Sequence, residues 1–167
     1  NYEIIKELDR TGLQVETAKK SWGPNYLQFG LKLADNFKGE TSYELGVSYT
    51  RTELNPLGGE WRTEINIGEE PRLFTQFYQP LSYSLRYFFS PYLEYQNRNV
   101  NQFQSGTILN QYRLTTTTMS LEGGRELKNW GEVRLGIRKS TGEVDIRIGN
   151  PHIKEREFDD GDLFLRL

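Results

Sequence analysis

One histidine, no cysteine and a scatter of carboxylates are what this chain of 167 residues offers to catalysis. His152 lies beside Pro151 in a polar stretch. A zinc site draws about four ligands from Cys, His and carboxylates. With no Cys and no second His, His152 reads as an ordinary loop histidine. No Gly-x-Ser-x-Gly nucleophile elbow occurs, so a serine–histidine pair would have to recruit His152 from its loop. Gly123-Gly124 is too little for a phosphate-cradling motif and reads as a turn. Asp159-Asp160-Gly161-Asp162 resembles a piece of a calcium loop. It lacks the pattern that closes on a bidentate Glu, so a solvated acidic loop is expected there. These residues assign no catalytic group, no metal and no cofactor, and the chain reads as a non-enzyme.

The charges interleaved with apolar residues are more informative. Lys32, Glu44, Arg62, Glu64, Arg134 and Arg138 each sit in an alternating run. Leu27, Phe29, Leu31 and Leu33 face one way against Gln28, Gly30 and Lys32. Tyr43, Leu45, Val47 and Tyr49 oppose Glu44, Gly46, Ser48 and Thr50, and Trp61, Thr63, Ile65 and Ile67 oppose Arg62, Glu64 and Asn66. Successive strand residues point to opposite faces, so the six charges share a polar face behind an apolar one. In a membrane barrel that polar face lines a wet lumen. Two uses remain open for the charges: a mutually neutralising ladder, or selectivity for a conducted solute or a strand-exit path.

About eight strands must position them, near 26–35, 41–54, 58–69, 72–80, 86–97, 110–123, 131–139 and 161–167. A further alternating segment at 143–149 has its apolar residues on even numbers, whereas Val133, Leu135 and Ile137 are odd. Either a hairpin through Lys139–Gly142 separates the two, or one long strand carries a bulge. No segment has a strong helical pattern. The expected class is all-β: antiparallel transmembrane β-barrel strands, half of a sixteen-strand barrel or a closed eight-strand one.

Bulk composition agrees. Mean hydropathy is -0.72, yet the chain has three Trp, ten Tyr and nine Phe. No apolar run approaches the roughly 18 residues of a membrane helix, but barrel strands need only about 9–11. The net charge of -2 gives no support for nucleic acid as a partner. Trp22, Tyr26, Tyr43, Tyr49, Trp61 and Trp130 fall mostly near expected strand ends, as lipid-interface anchors do. Asn55–Gly59 and Glu69-Glu70-Pro71 read as tight turns, and 97–110 and 150–161 as long polar loops. If Tyr26 starts at the periplasmic side, the turns at 55–59 and 123–131 are periplasmic and the long loops extracellular. Residues 1–22 differ from the rest, with a short strand at Leu13–Ala18. The chain opens on Asn1, and Leu163–Leu167 alternates as though a strand were still running, so a processed form or a piece of something longer is expected.

Several stretches resemble a known family. Lys20-Ser-Trp-Gly-Pro-Asn-Tyr-Leu-Gln-Phe-Gly-Leu31 resembles the junction where a periplasmic POTRA domain enters its barrel. Leu54-Asn-Pro-Leu-Gly-Gly-Glu-Trp-Arg62 resembles the turn between the second and third barrel strands, and Gln79-Pro80, Ser90-Pro91-Tyr92 and Trp130-Gly-Glu-Val-Arg-Leu-Gly136 extend the likeness. The chain therefore resembles the bacterial surface-antigen superfamily of POTRA-plus-barrel proteins, BamA- and TamA-like, and most of all the barrel of patatin-like type V secretion phospholipases. The resemblance implies that 1–22 end a POTRA-like domain and linker, and that 23–167 are the N-terminal half of a sixteen-strand outer-membrane barrel. It implies a bacterial outer-membrane anchor and a translocation or assembly scaffold. Its partners would be outer-membrane lipids, a second copy or the missing half of the barrel, and a secreted passenger or lipase domain. The lipase machinery itself is absent from these residues. Two other readings compete: a soluble lipocalin-like barrel, with Leu27, Phe29, Leu31, Val47 and Ile65 inside around a ligand, and a self-contained eight-strand structural or adhesive membrane barrel.

Overall fold

A computed structural model describes residues 2–7, 10–15, 23, 25–35, 41–104, 107–148 and 156–167. Two strands, β1 (Tyr2–Glu7) and β2 (Arg10–Val15), pair antiparallel as a sheet of their own. The remaining strands are β3 (Asn25–Asp35), β4 (Thr41–Arg51), β5 (Glu60–Gly68), β6 (Arg72–Pro80), β7 (Tyr87–Gln104), β8 (Thr107–Glu126), β9 (Glu132–Ile148) and β10 (Arg156–Arg166). They form one open eight-stranded antiparallel sheet in chain order, with β3 and β10 at its edges. The only helical element described is a single 3-10 turn at Lys128–Trp130.

Register fixes the faces. From Tyr26 of β3 to Arg166 of β10, nearly every registered pair joins even to even or odd to odd numbers. The exceptions lie beyond register shifts at Gln102/Phe103 and Gln111/Tyr112. Even-numbered side chains therefore share one face across the sheet. That face is the more covered, with Phe88 only 1% exposed and Glu122 2%. The odd face carries Leu27, Phe29, Leu31, Leu45, Ile65, Leu93, Leu121, Ile137 and Leu163, all exposed, Phe29 at 72%.

Turn chemistry explains one end of the sheet. In the β4–β5 connection Asn55 accepts at Oδ1 from the amides of Leu57 and Gly59 and donates from Nδ2 to Gln79 Oε1 at 2.6 Å. Gly58 supplies the left-handed backbone there, at φ 79°. Leu85 and Lys128 also take positive φ, in the β6–β7 and β8–β9 turns.

Four sequence expectations need correction. Gly123-Gly124 is not a turn but lies inside β8, paired with Phe89 and Phe88. The stretch 97–110 is not a loop, because β7 and β8 keep pairing to Gln104 and Thr107. Side-chain amides pair across the strands there: Gln111 donates to Asn101 and Asn110 to Gln102, each at 2.9 Å. Segments 131–139 and 143–149 are one strand with neither hairpin nor bulge between them, since β9 stays in register with β8 from Glu132 to Ile146. Finally, 156–161 belongs to β10 rather than to a loop.

Proline placement follows the ladder. Pro91 lies inside β7, where a missing N–H would break a central strand. The β6–β7 register runs to Gln76↔Tyr92 and resumes at Gln79↔Phe89, so Pro91 falls in the gap.

Candidate functional site

The even face gathers the expected charges and pairs them. Lys32 Nζ lies 3.2 Å from Glu44 Oε2, joining β3 to β4. Arg62 pairs with Glu64 on its own strand. Arg72, at the start of β6, reaches Glu64 at 2.6 Å and Glu94 of β7 at 2.5 Å. Arg138 grips Asp162 of β10 through two bonds of 3.0 and 2.5 Å. All six charges singled out by alternation, Lys32, Glu44, Arg62, Glu64, Arg134 and Arg138, stand on this face with a partner of opposite sign.

Arg134 sits at the most buried part of the face. Its guanidinium binds Glu132 through both oxygens at 2.5 and 3.0 Å and Glu122 at 3.1 Å. It also lies 4.8 Å from the centre of the Phe88 ring, which meets the Tyr78 ring at 5.0 Å. Phe88 is cross-strand partner to Gly124, so the ring lies where a Cβ at 124 would go. The same arrangement recurs at Phe164 with Gly136 and at Phe158 with Gly142. Aromatic rings laid over a partner strand's glycine cover backbone that a bare glycine exposes. Hydroxyls complete the layer: Gln76 donates to Ser90 Oγ at 2.9 Å, and Ser120 to the Ile137 carbonyl at 3.1 Å.

The sheet curls toward this face. Gln28 of β3, Thr50 of β4, Arg62 of β5, Gln76 and Tyr78 of β6 and Arg134 of β9 line a common cavity of about 410 Å³. Glu60 also lines it, and the cavity's two guanidinium groups are held by carboxylates beyond the lining, Arg62 by Glu64 and Arg134 by Glu122 and Glu132. Among the described residues no group of three or more His, Cys, Asp or Glu is placed to hold a metal ion.

Strand pleating breaks up the acidic run that resembled a calcium loop. Asp159 is on the odd face and bonds Lys139 at 3.2 Å, whereas Asp162 is on the even face with Arg138. His152 and Trp22 lie outside the described residues. Of the expected interface aromatics, Tyr43, Tyr49 and Trp61 are exposed on the odd face, Trp130 is 93% exposed in the 3-10 turn, and Tyr26 lies on the even face. Phe88, Ser90, Glu122, Arg72 and Glu94 were not singled out from sequence. Their even numbering within strands was the available signal, but it shows only once the register joins the strands.

Comparison with protein-family models, with curated proteins and with solved structures gives no match.

Proposed function

We propose that this chain is an outer-membrane β-barrel segment that anchors in the bacterial outer membrane and serves as a protein translocation or assembly scaffold, with no catalysis of its own. One observation carries the membrane part: an exposed apolar odd face runs across all eight strands behind an even face on which Lys32, Glu44, Arg62, Glu64, Arg134 and Arg138 are ion-paired. A lipid-facing band around a polar interior has that polarity. The soluble lipocalin-like alternative requires Leu27, Phe29, Leu31, Val47 and Ile65 inside. They lie on the opposite face from the covered one, and all but the half-buried Val47 are exposed. The translocation part rests on the resemblance of residues 20–31 and 54–62 to surface-antigen barrels.

An open sheet cannot face hydrocarbon at its edges, because unpaired backbone groups find no partner in lipid. β3 and β10 are both eleven residues long and antiparallel in sense. They pair with a second copy, with further strands of a longer barrel, or with each other. We favour two copies completing sixteen strands, with outer-membrane lipids around them and a passenger or lipase domain as cargo. The protein mass in detergent, measured by light scattering that separates protein from micelle, tests this reading. Two copies per particle are expected. A folded protein in buffer without detergent overturns the membrane reading, and a strictly single copy overturns the two-copy barrel.

A further inference from the structure

The long strands β7–β10 exchange the polarity of their faces partway along. On the odd face, the row Pro91–Leu121–Ile137–Leu163 is apolar, and the next row is Leu93–Met119–Lys139–Gly161. Then come Tyr95–Thr117–Thr141–Asp159 and Asn97–Thr115–Glu143–Glu157. Apolar residues give way to hydroxyls, amides and charges within two rows. The even face changes the other way a little further along the strands. Tyr92–Ser120–Arg138–Asp162 and Glu94–Thr118–Ser140–Asp160 are polar, while Leu114 and Val144 stand between Arg98 and Arg156 and the next row is Val100–Tyr112–Ile146. This is why the apolar residues of β9 move from odd to even numbers with no bulge.

Two recesses on the odd face mark the same division. The lower is a groove of about 670 Å³ between Trp61, Phe77, Pro91, Leu93, Met119 and Leu121. The upper, of about 510 Å³, is lined by Thr115, Thr117, Thr141, Glu143, Glu157 and Asp159. Lys139 lines the first and Asp159 the second, and their ion pair of 3.2 Å joins the two. A lysine at the rim of an apolar band buries its stem in the band and lifts its ammonium to the polar side.

We propose that the row Tyr95–Thr117–Thr141–Asp159 is the outer boundary of the hydrocarbon layer, and that the parts of β7–β10 beyond it stand in water as a sheet of ordinary soluble polarity. The inference rests on the membrane reading above and adds where the lipid ends. Outward Glu143, Asp145, Glu157 and Arg113 have no place in hydrocarbon, where a lipid-facing charge is costly. Outward Leu93, Met119 and Leu121 are exposed and gain from being in it. Tyr95, exposed in the boundary row, has the amphipathic ring that membrane interfaces favour.

The chain has no cysteine, so single replacements report unambiguously. Leu121→Cys and Met119→Cys test the band, and Thr115→Cys and Glu143→Cys the extension, each labelled with an environment-sensitive fluorophore. The folded variants are placed in phosphatidylcholine vesicles with and without brominated acyl chains. Loss of most of the emission at 119 and 121, with little change at 115 and 143 and strong quenching of the latter pair by aqueous iodide, is the expected result. Equal lipid quenching at all four positions overturns the boundary while leaving the membrane reading intact. No lipid quenching at any position overturns both.

Discussion

Arg134 and Arg138 make the same chemical bond in different surroundings, and burial decides what each is worth. Glu122 is 2% exposed, so removing Arg134 strands its carboxylate out of water. Breaking a buried pair from one side costs about 3–5 kcal/mol. Arg134→Met is expected to lower the denaturant midpoint of the folded protein accordingly, and the double variant with Glu122→Gln to recover much of the loss. Asp162 is 41% exposed, and an exposed, solvent-screened ion pair contributes little to stability, so Arg138→Met is expected to shift the same midpoint barely at all. The glycines divide likewise. A Cβ at Gly124 meets the Phe88 ring and the Val133 carbonyl, while one at Gly30 meets nothing within 4 Å. Overpacking costs roughly 1–3 kcal/mol; Gly124→Ala is expected to pay it and Gly30→Ala to be tolerated, as thermal unfolding followed by circular dichroism would show. The alternation of the sequence brought Lys32, Glu44, Arg62 and Glu64 into view because each interrupts an apolar run. Glu122 and Arg72 escaped notice because their importance comes from neighbours on other strands.

At the scale of elements, turns and strands respond to different forces. The β4–β5 turn is held by Asn55, whose side chain accepts from two backbone amides. Asn55→Ala leaves both without that acceptor, and loss of a capping side chain of this kind costs about 0.5–2 kcal/mol. The expected outcome is a lower unfolding midpoint, with faster amide exchange confined to Leu57 and Gly59. That turn was legible in Asn-Pro-Leu-Gly-Gly because its chemistry is local. The β7–β8 hairpin was not, because Asn and Gln look like loop residues until Gln111 and Asn110 are seen paired with Asn101 and Gln102. Strand β9 was left open by the sequence, between a hairpin and one long bulged strand, for another reason. Its apolar residues change face as its surroundings change, and period-2 reading assumes one core side along a whole strand.

For the whole molecule, the paired even face makes a physical claim. On the proposed barrel reading, the ion pairs of Lys32, Arg62, Arg72, Arg134 and Arg138 line the interior, so a pore is expected to favour neither cations nor anions strongly. Reversal potentials near zero in asymmetric salt across a planar bilayer would bear that out, and a strong preference would show that the interior is built for selectivity. The sequence by itself determined that the chain is built of strands and how they alternate, because pleat periodicity is a local property. Which strands are neighbours, which charges meet, which face is covered and where the faces exchange polarity were decided only by the tertiary structure. Those depend on register, and register is set by contacts between residues far apart in the chain.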